Sequence, residues 1–305
     1  MYKNIKAAVM GSINMDIILS ADLLPDVGEN VLGSSYSYAH GGKGANQAIG
    51  LSRLGANVKM IGKVGNDSNG QSLIKNLEKN GVSTSGVSTD GSSTGLAAIL
   101  IDGEGRNRII VYESANREIV PEEAKKHITD DTDVLLVQFE TNEEAVIATV
   151  NAAIEKGITT VVDCGPAKNF GVEKMKGMTI ITPNENETEA LTGVFPEDEK
   201  TALEASEILY GRCKPDFVVL KLGSRGCSCY DGKDIHFLPS YPTVVRDTTA
   251  AGDSFTAALA LEYKRSNDIL KACDFGNRAG SIAVSRVGAE NSMPTAEEIL
   301  SFRTL

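Results

Sequence analysis

The residues of this chain best suited to chemistry run from Asp247 to Phe255, in the order Asp247-Thr248-Thr249-Ala250-Ala251-Gly252-Asp253-Ser254-Phe255. Small residues crowd a loop that leads into an apolar run, Phe255 to Tyr263, read as a helix. The first N–H groups of a helix lack intrahelical acceptors and carry partial positive charge, so they form an anion site. A carboxylate set inside such a site competes with the anion. The pairing makes sense where Asp253 takes a proton from a nucleophile while the N–H groups hold the charge of the group under attack. Taken alone, Asp253 also reads as an acidic residue favoured in a helix's first turn.

A second dense stretch is Gly41-Gly42-Lys43-Gly44-Ala45-Asn46-Gln47-Ala48. Its glycines allow a ligand close to the backbone, and Lys43 and Asn46 add polar contacts. Its spacing is neither that of a Walker A loop nor that of a Rossmann fingerprint, and a tight turn into a helix explains it as well. In Thr182-Pro183-Asn184-Glu185-Asn186-Glu187, Asn184 and Glu187 share a face of a helical turn. Oxygen groups so spaced suit Mg²⁺, often through water, and equally suit a capping box. Leu222-Gly223-Ser224-Arg225-Gly226 ends an apolar strand as a nucleotide loop or a hairpin turn, with Lys221 beside it read as solvated.

These residues need a frame, and the chain supplies an alternation of strand and helix patterns. Lys6 to Gly11, Val58 to Ile61, Val134 to Phe139, Thr159 to Val162, Thr179 to Thr182 and Phe217 to Leu222 read as strands. Gly44 to Leu54, Gln71 to Asn80 and Glu143 to Glu155 read as helices; others open at Pro121 and at Glu187. Runs apolar throughout, such as Val134-Leu135-Leu136-Val137, suit parallel strands buried on both faces. The expected fold is α/β: a doubly wound, mostly parallel sheet with helices on both faces, forming a single domain over 1–305. Two stretches break the alternation, Ile13 to Ala39 and Gly95 to Tyr112, the latter a hairpin turning at Asp102-Gly103-Glu104-Gly105. They are expected to form a small β-sheet lid over the carboxyl ends of the main strands, where ligands of such sheets bind.

Composition narrows the classes. The chain has 305 residues, ample for a large core without staples. Its net charge of −11 argues against nucleic acid as a partner. No apolar run is long enough for a membrane span. The stretch from Met1 to Met10 lacks the long apolar core and cleavage site of a signal peptide, so a cytoplasmic location is expected. The cysteines, Cys164, Cys213, Cys227, Cys229 and Cys273, show neither zinc spacing nor a disulfide framework. Their one close pair, Cys227 and Cys229, is read as lying on opposite faces of a strand.

Taken in order with Gly11-Ser12-Ile13-Asn14-Met15-Asp16, these segments resemble the ribokinase-like (PfkB) carbohydrate kinase family over essentially the whole chain, and within it the ribose-phosphorylating members. The resemblance implies ATP-dependent phosphorylation of the primary hydroxyl of a small sugar, D-ribose to D-ribose 5-phosphate first. It makes Asp253 the general base and the N–H groups of Ala250, Ala251, Gly252 and Asp253 the anion hole. Asn14, Asp16, Gly42, Lys43, Gly44, Asn46 and Glu140 would hold the sugar. Asn184, Lys221, Leu222, Gly223, Ser224, Arg225, Gly226, Gly252 and Asn277 would face the nucleotide, with Asn184 and Glu187 on the Mg²⁺ side. A monovalent cation, K⁺, would sit among Asp247, Thr249, Ala283, Arg286, Gly288 and Ser292, several through carbonyls. The lid would also be the contact of a homodimer.

The departures from the family pattern are Thr249, where an apolar residue is common, and Asp163-Cys164-Gly165-Pro166, where an Asn-Pro segment is more usual. The alternatives are a sister kinase for deoxyribose, fructose, a sugar acid or a nucleoside, and an inactive sugar-sensing protein. The last would lack Asp253 or Gly252, and both are present.

Overall fold

Strands apolar at almost every position, such as Val134–Gln138, sit buried inside a sheet. The computed structural model describes residues 2–167 and 170–302. In chain order the strands are β1 Lys6–Met10, β2 Asn14–Ser20, β3 Ser35–Gly41, β4 Asn57–Gly65, β5 Val82–Gly91, β6 Gly95–Ile101, β7 Asn107–Tyr112, β8 Val134–Gln138, β9 Thr159–Asp163, β10 Ile180–Thr182, β11 Phe217–Lys221, β12 Cys227–Tyr230 and β13 Ile235–Leu238. The helices are α1 Lys43–Leu54, α2 Ser68–Lys79, α3 Pro121–Ala124, α4 Glu143–Glu155, α5 Glu185–Thr192, α6 Glu199–Cys213, α7 Ala251–Ser266, α8 Ile269–Val284, α9 Ala289–Ser292 and α10 Ala296–Ser301.

A nine-stranded sheet has the order β13-β12-β11-β10-β9-β8-β1-β4-β5. It is parallel except where β12 and β13 turn back as an antiparallel margin. Alternate residues feed two cores. Val9 and Leu136 point to the side packed by α1, α7 and α8; Met10, Leu135 and Val137 point to the side packed by α4 and α6. The strand order reverses between β8 and β1, so the chain leaves these neighbours in opposite directions and opens a crevice at their carboxyl ends. Helix ends follow local chemistry. Asp67 accepts from Gly70 N–H and starts α2 at Ser68, a turn ahead of the start read at Gln71. Asn142 caps α4, and Gly55 ends α1 in the left-handed conformation.

The interrupted stretches do build the second, four-stranded sheet, ordered β3-β2-β6-β7. Residues in register across it share a face. Tyr38, Ile17, Ala98 and Ile110 form one row, and Tyr36, Leu19 and Leu100 lie on the same side. Asn14 and Asp16 lie on the other face, toward the end of the main sheet.

One reading fails. Cys227 and Cys229 do not occupy opposite faces of β12: both approach Cys273 on α8, where they raise its thiol pKa together with burial. Residues two apart in a strand share a face, so alternation requires this outcome.

Candidate active site

The polar residues gather where the central strands end. Ser12 follows β1, Glu140 follows β8, Asp163 closes β9, Asn184 follows β10 and Lys221 closes β11. Two helix N-termini aim at this row, α1 and α7. Gly42 precedes α1 with φ 92°, and a Cβ there would stand 2.7 Å from Ser12 O and 2.8 Å from Asn14 N. Only glycine lets the chain turn that tightly beneath the lid. Gly44 packs against Gly11, where a Cβ would come within 2.6 Å of backbone.

Asp253 lies in the first turn of α7 and is 4% exposed. Asn46 Nδ2 donates to its Oδ2 at 3.1 Å and Gln47 Nε2 to its Oδ1 at 3.0 Å. The preceding Ala250 is left-handed, φ 57°, which turns the loop so that the first N–H groups of α7 face outward. Gly252 and Asp253 N–H find no backbone acceptor among the described residues, whereas Ala251 N–H turns back to Thr248 O at 3.3 Å. Three of the four expected hole donors, Ala250, Gly252 and Asp253, thus remain open.

The expected sugar residues converge beside Asp253. Asn14 is buried, and its Oδ1 accepts from Asn116 Nδ2 at 2.7 Å. Asn116 also accepts from Ile13 N–H at 3.0 Å, so the Asn14 amide is fixed with its NH₂ free. Ser12 donates to Glu140 Oε2, which also takes Lys43 N–H at 3.2 Å. Burial raises the Asp16 carboxyl to about 7, with the Glu140 charge adding to it. Glu140 itself is raised by burial, against the pull of Lys43. Burial opposes the Lys43 ammonium, yet Asp253, Asp163, Glu140 and Glu187 outweigh it and keep Lys43 charged.

On the other side of Gly252 opens a cleft of about 560 Å³. Lys221, Gly223, Ser224, Gly226, Gly252 and Asn277 line it, with Tyr241, Val245 and Phe255 among its less polar walls. Asn277 Nδ2 is held by Leu238 O and Pro239 O at 3.1 and 3.2 Å, leaving its oxygen for a ligand. Leu222 and Arg225 are not brought to this wall. Leu222 is core, and Arg225 swings to Glu185 and to the carbonyls of Pro196 and Glu197. Lys221 is not solvated either: it is 11% exposed and donates to Asp163 Oδ2 at 2.9 Å. Burial works against its charge, but Asp163 and Glu187 hold its pKa above the ordinary lysine value.

Asn184 and Glu187 form the capping box of α5, Asn184 Oδ1 taking Glu187 N–H and Glu187 Oε2 taking Asn184 N–H, both at 2.8 Å. Glu187 Oε1 is left pointing at the centre, where a Cβ on Gly165 would meet it and Lys43 Nζ. For Glu187 the capping and ligand readings therefore use different oxygens, whereas Asn184 Oδ1 is itself the capping acceptor. Asp247 accepts from Thr249 N–H at 2.9 Å and Gly288 N–H at 2.8 Å, which joins two members of the expected cation set. The Ala283 carbonyl accepts from Arg286 N–H at 3.0 Å, Ser292 is buried in α9 with its hydroxyl on Ala289 O at 2.7 Å, and the Arg286 side chain turns to Glu298, leaving only its backbone.

Sequence reasoning assigned no role to Gln47, Asn116, Asp163 and Thr256, although Gln47 lies in the glycine-rich segment and Asp163 in the one that departs from the family pattern. Asp163 and Thr256 are fully buried and their partners are distant in sequence, so no spacing signals them.

The pfkB family carbohydrate kinase profile matches residues 4–296. A ribokinase of Bacillus subtilis is 36% identical over 293 residues, covering 95% of this chain and 97% of that one. A bifunctional ribokinase/ribose-5-phosphate isomerase A of Fructilactobacillus sanfranciscensis is 37% identical over 97% of this chain, which spans only 56% of that protein. The structure of an Arabidopsis thaliana ribokinase complexed with ribose and ATP superposes with a TM-score of 0.90 at 28% identity, covering 99% of this chain and 100% of that one. Profile, relatives and fold agree from end to end, and the chain belongs to the pfkB family of carbohydrate kinases.

Proposed function

We propose that this sugar kinase transfers the γ-phosphoryl group of ATP to the 5-hydroxyl of D-ribose. The observation that carries the reading is the Asp253 carboxylate, buried, held by two amides and set between the sugar-side cluster and the cleft at Gly252. Asp253 accepts the hydroxyl proton as that oxygen forms its bond to the γ-phosphorus. The β–γ P–O bond breaks and ADP leaves. The open N–H groups of Ala250, Gly252 and Asp253 receive the charge on the transferring group, and a base so placed contributes about 10²–10⁴ in rate. Asn14, Asp16, Lys43, Asn46 and Glu140 orient the ring hydroxyls. A site built to bond a hydroxyl discriminates strongly against a sugar lacking it.

Asn184 and Glu187 would hold Mg²⁺, whose chemistry there would be to offset the negative charge of the phosphates. Glu187 Oε1 and Asn184 fit it as hard oxygen groups, and an ion held mainly by phosphate and water needs few protein ligands. K⁺ would draw on the oxygens of Asp247, Thr249, Ala283, Arg286, Gly288 and Ser292, a reading supported by the hydrogen bonds that tie Asp247 to Thr249 and Gly288; there it would firm the loop that carries the hole. The homodimer would form through the outer lid face, where Tyr36 and Tyr38 are 71% and 61% exposed. A cytoplasmic location is supported by five free, buried thiols.

A coupled ADP-release assay tests the reading, comparing D-ribose, 2-deoxyribose, fructose and adenosine, with and without K⁺. Fastest turnover on ribose, stimulated by K⁺, is expected. Turnover on another acceptor alone would discard ribose, and none at all would discard the kinase mechanism.

A further inference from the structure

Asp163 and Gln47 stand outside every role assigned above, yet they sit at the centre of the site. Asp163 is fully buried at the end of β9. Three donors from three elements converge on its Oδ2: Gln47 Nε2 at 3.1 Å from α1, Lys221 Nζ at 2.9 Å from β11, and Thr256 Oγ1 at 2.9 Å from α7. Its Oδ1 takes only Gly165 N–H at 3.3 Å. Gln47 Nε2 is shared, since it also donates to Asp253 Oδ1 at 3.0 Å. Chemistry fixes the orientation of that amide. An oxygen cannot face two carboxylates, and Gln47 Oε1 is occupied by Gln138 Nε2 at 2.6 Å.

The connections form one continuous path. Asp253 faces the sugar cluster, and Lys221 lines the nucleotide cleft. Between them stand only Gln47 and Asp163. Burying a carboxylate is costly without partners, and here two lysines compensate, Lys221 through a hydrogen-bonded ion pair and Lys43 through charge alone.

We infer that Asp163, acting through Gln47 and Lys221, is a positioning residue that holds the general base and the nucleotide-facing lysine in register with each other. Gln47 is the arm toward the base, and Thr256 steadies the hub. Lys43, Glu140 and Glu187 also surround this centre, but no hydrogen bond from them reaches Asp163 among the described residues.

The inference rests on the kinase reading, so the test includes Asp253→Asn as its reference. Gln47→Met keeps size and removes the shared donor. Asp163→Asn keeps an acceptor oxygen and removes the charge that holds Lys221. Kinetics are measured for both substrates, beside thermal unfolding. Gln47→Met should lower kcat about 10²-fold, the scale of a small misplacement of a reacting group, with KM for sugar and ATP within twofold. Asp163→Asn should lower kcat comparably and raise KM for ATP more than KM for sugar, because Lys221 is hydrogen-bonded to Asp163 and Lys43 is not. The double variant should lose about as much kcat as the worse single variant, because both cut one path. Should Gln47→Met not fold, Thr256→Val removes one donor from the hub and should lower kcat several-fold. Folded single variants with kcat within twofold of the parent, or a double variant whose losses multiply, would overturn the inference. Retained turnover in Asp253→Asn would instead overturn the general-base role of Asp253, the part of the kinase reading on which the inference rests.

Discussion

Val134 to Gln138 in the main sheet and Asn107 to Tyr112 in the lid are both strands rich in apolar residues, yet every residue of the first is buried and every residue of the second exposed. The difference is cover, not composition. β8 is flanked by β1 and β9 and packed by α4 and α7. β7 ends its sheet, pairs with β6 alone and carries Ile109, Ile110, Val111 and Tyr112 into the open. The main sheet is complete in one chain, and its polar residues crowd at strand ends where helix N-termini can serve them. The lid sheet leaves one face uncovered. Its inner face carries Asn14 and Asp16 toward the end of the main sheet, and its outer face leaves Tyr36, Tyr38 and Ile110 exposed.

Three predictions press on that contrast. The largest effect belongs at the main sheet's ends, where groups are locked. Asp253→Asn should cut kcat by about 10²–10⁴ in the ADP-release assay while thermal unfolding changes little. Next comes the core of the same sheet. Leu136→Ala, a fully buried side chain removed, should cost about 2–5 kcal/mol in denaturant unfolding. Ile110→Ala, half exposed on the lid, should cost within about 0.5 kcal/mol when measured on a monomer. A large cost at Ile110 at low protein concentration would show that the lid is packed within one chain. The third concerns association. Ile110→Asp should weaken self-association by about 2 kcal/mol or more in sedimentation, and should remove any dependence of Tm on protein concentration.

The same contrast explains what could be read from the sequence. The central strands and α4 were legible because uniform apolar runs and a clean helical period leave one reading. The Asn142 cap and Lys156-Gly157 stop set α4 at Glu143–Glu155 as expected. The lid was legible as a break in the alternation, and its hairpin turn as Asp-Gly-Glu-Gly. α6 and α8 were not picked out. α6 has polar residues scattered around an apolar stripe of small side chains, and α8 buries Gly276, Asn277 and Ser281 that a periodicity search counts as polar. The motif residues of the site stood out by type. Asp163 did not, because a carboxylate closing a buried strand has no local mark and gains its meaning from Gln47, Lys221 and Thr256, each far away along the chain. Lys221 was misread as solvated for the same reason: its partner is 58 residues away.

The smallest effect sharpens the comparison most, because it concerns a lid residue whose chemistry is set by the main sheet. Asp16 lies on β2, but burial at the sheet's end, with Glu140 beside it, raises its carboxyl to about 7. An unfolded aspartate titrates near 3.9. Between about pH 4 and 7 the folded chain therefore binds more protons at this group than the unfolded chain does. Its contribution to stability falls as pH rises through that window and is level above it. Unfolding measured in urea from pH 5 to pH 8 should show this decline, and Asp16→Asn should reduce it. An unaltered slope in the variant would mean that Asp16 is hydrated in solution, with the lid standing away from Glu140. Bound sugar should change the parent's profile more than the variant's, since the pKa of Asp16 depends on what lies against it.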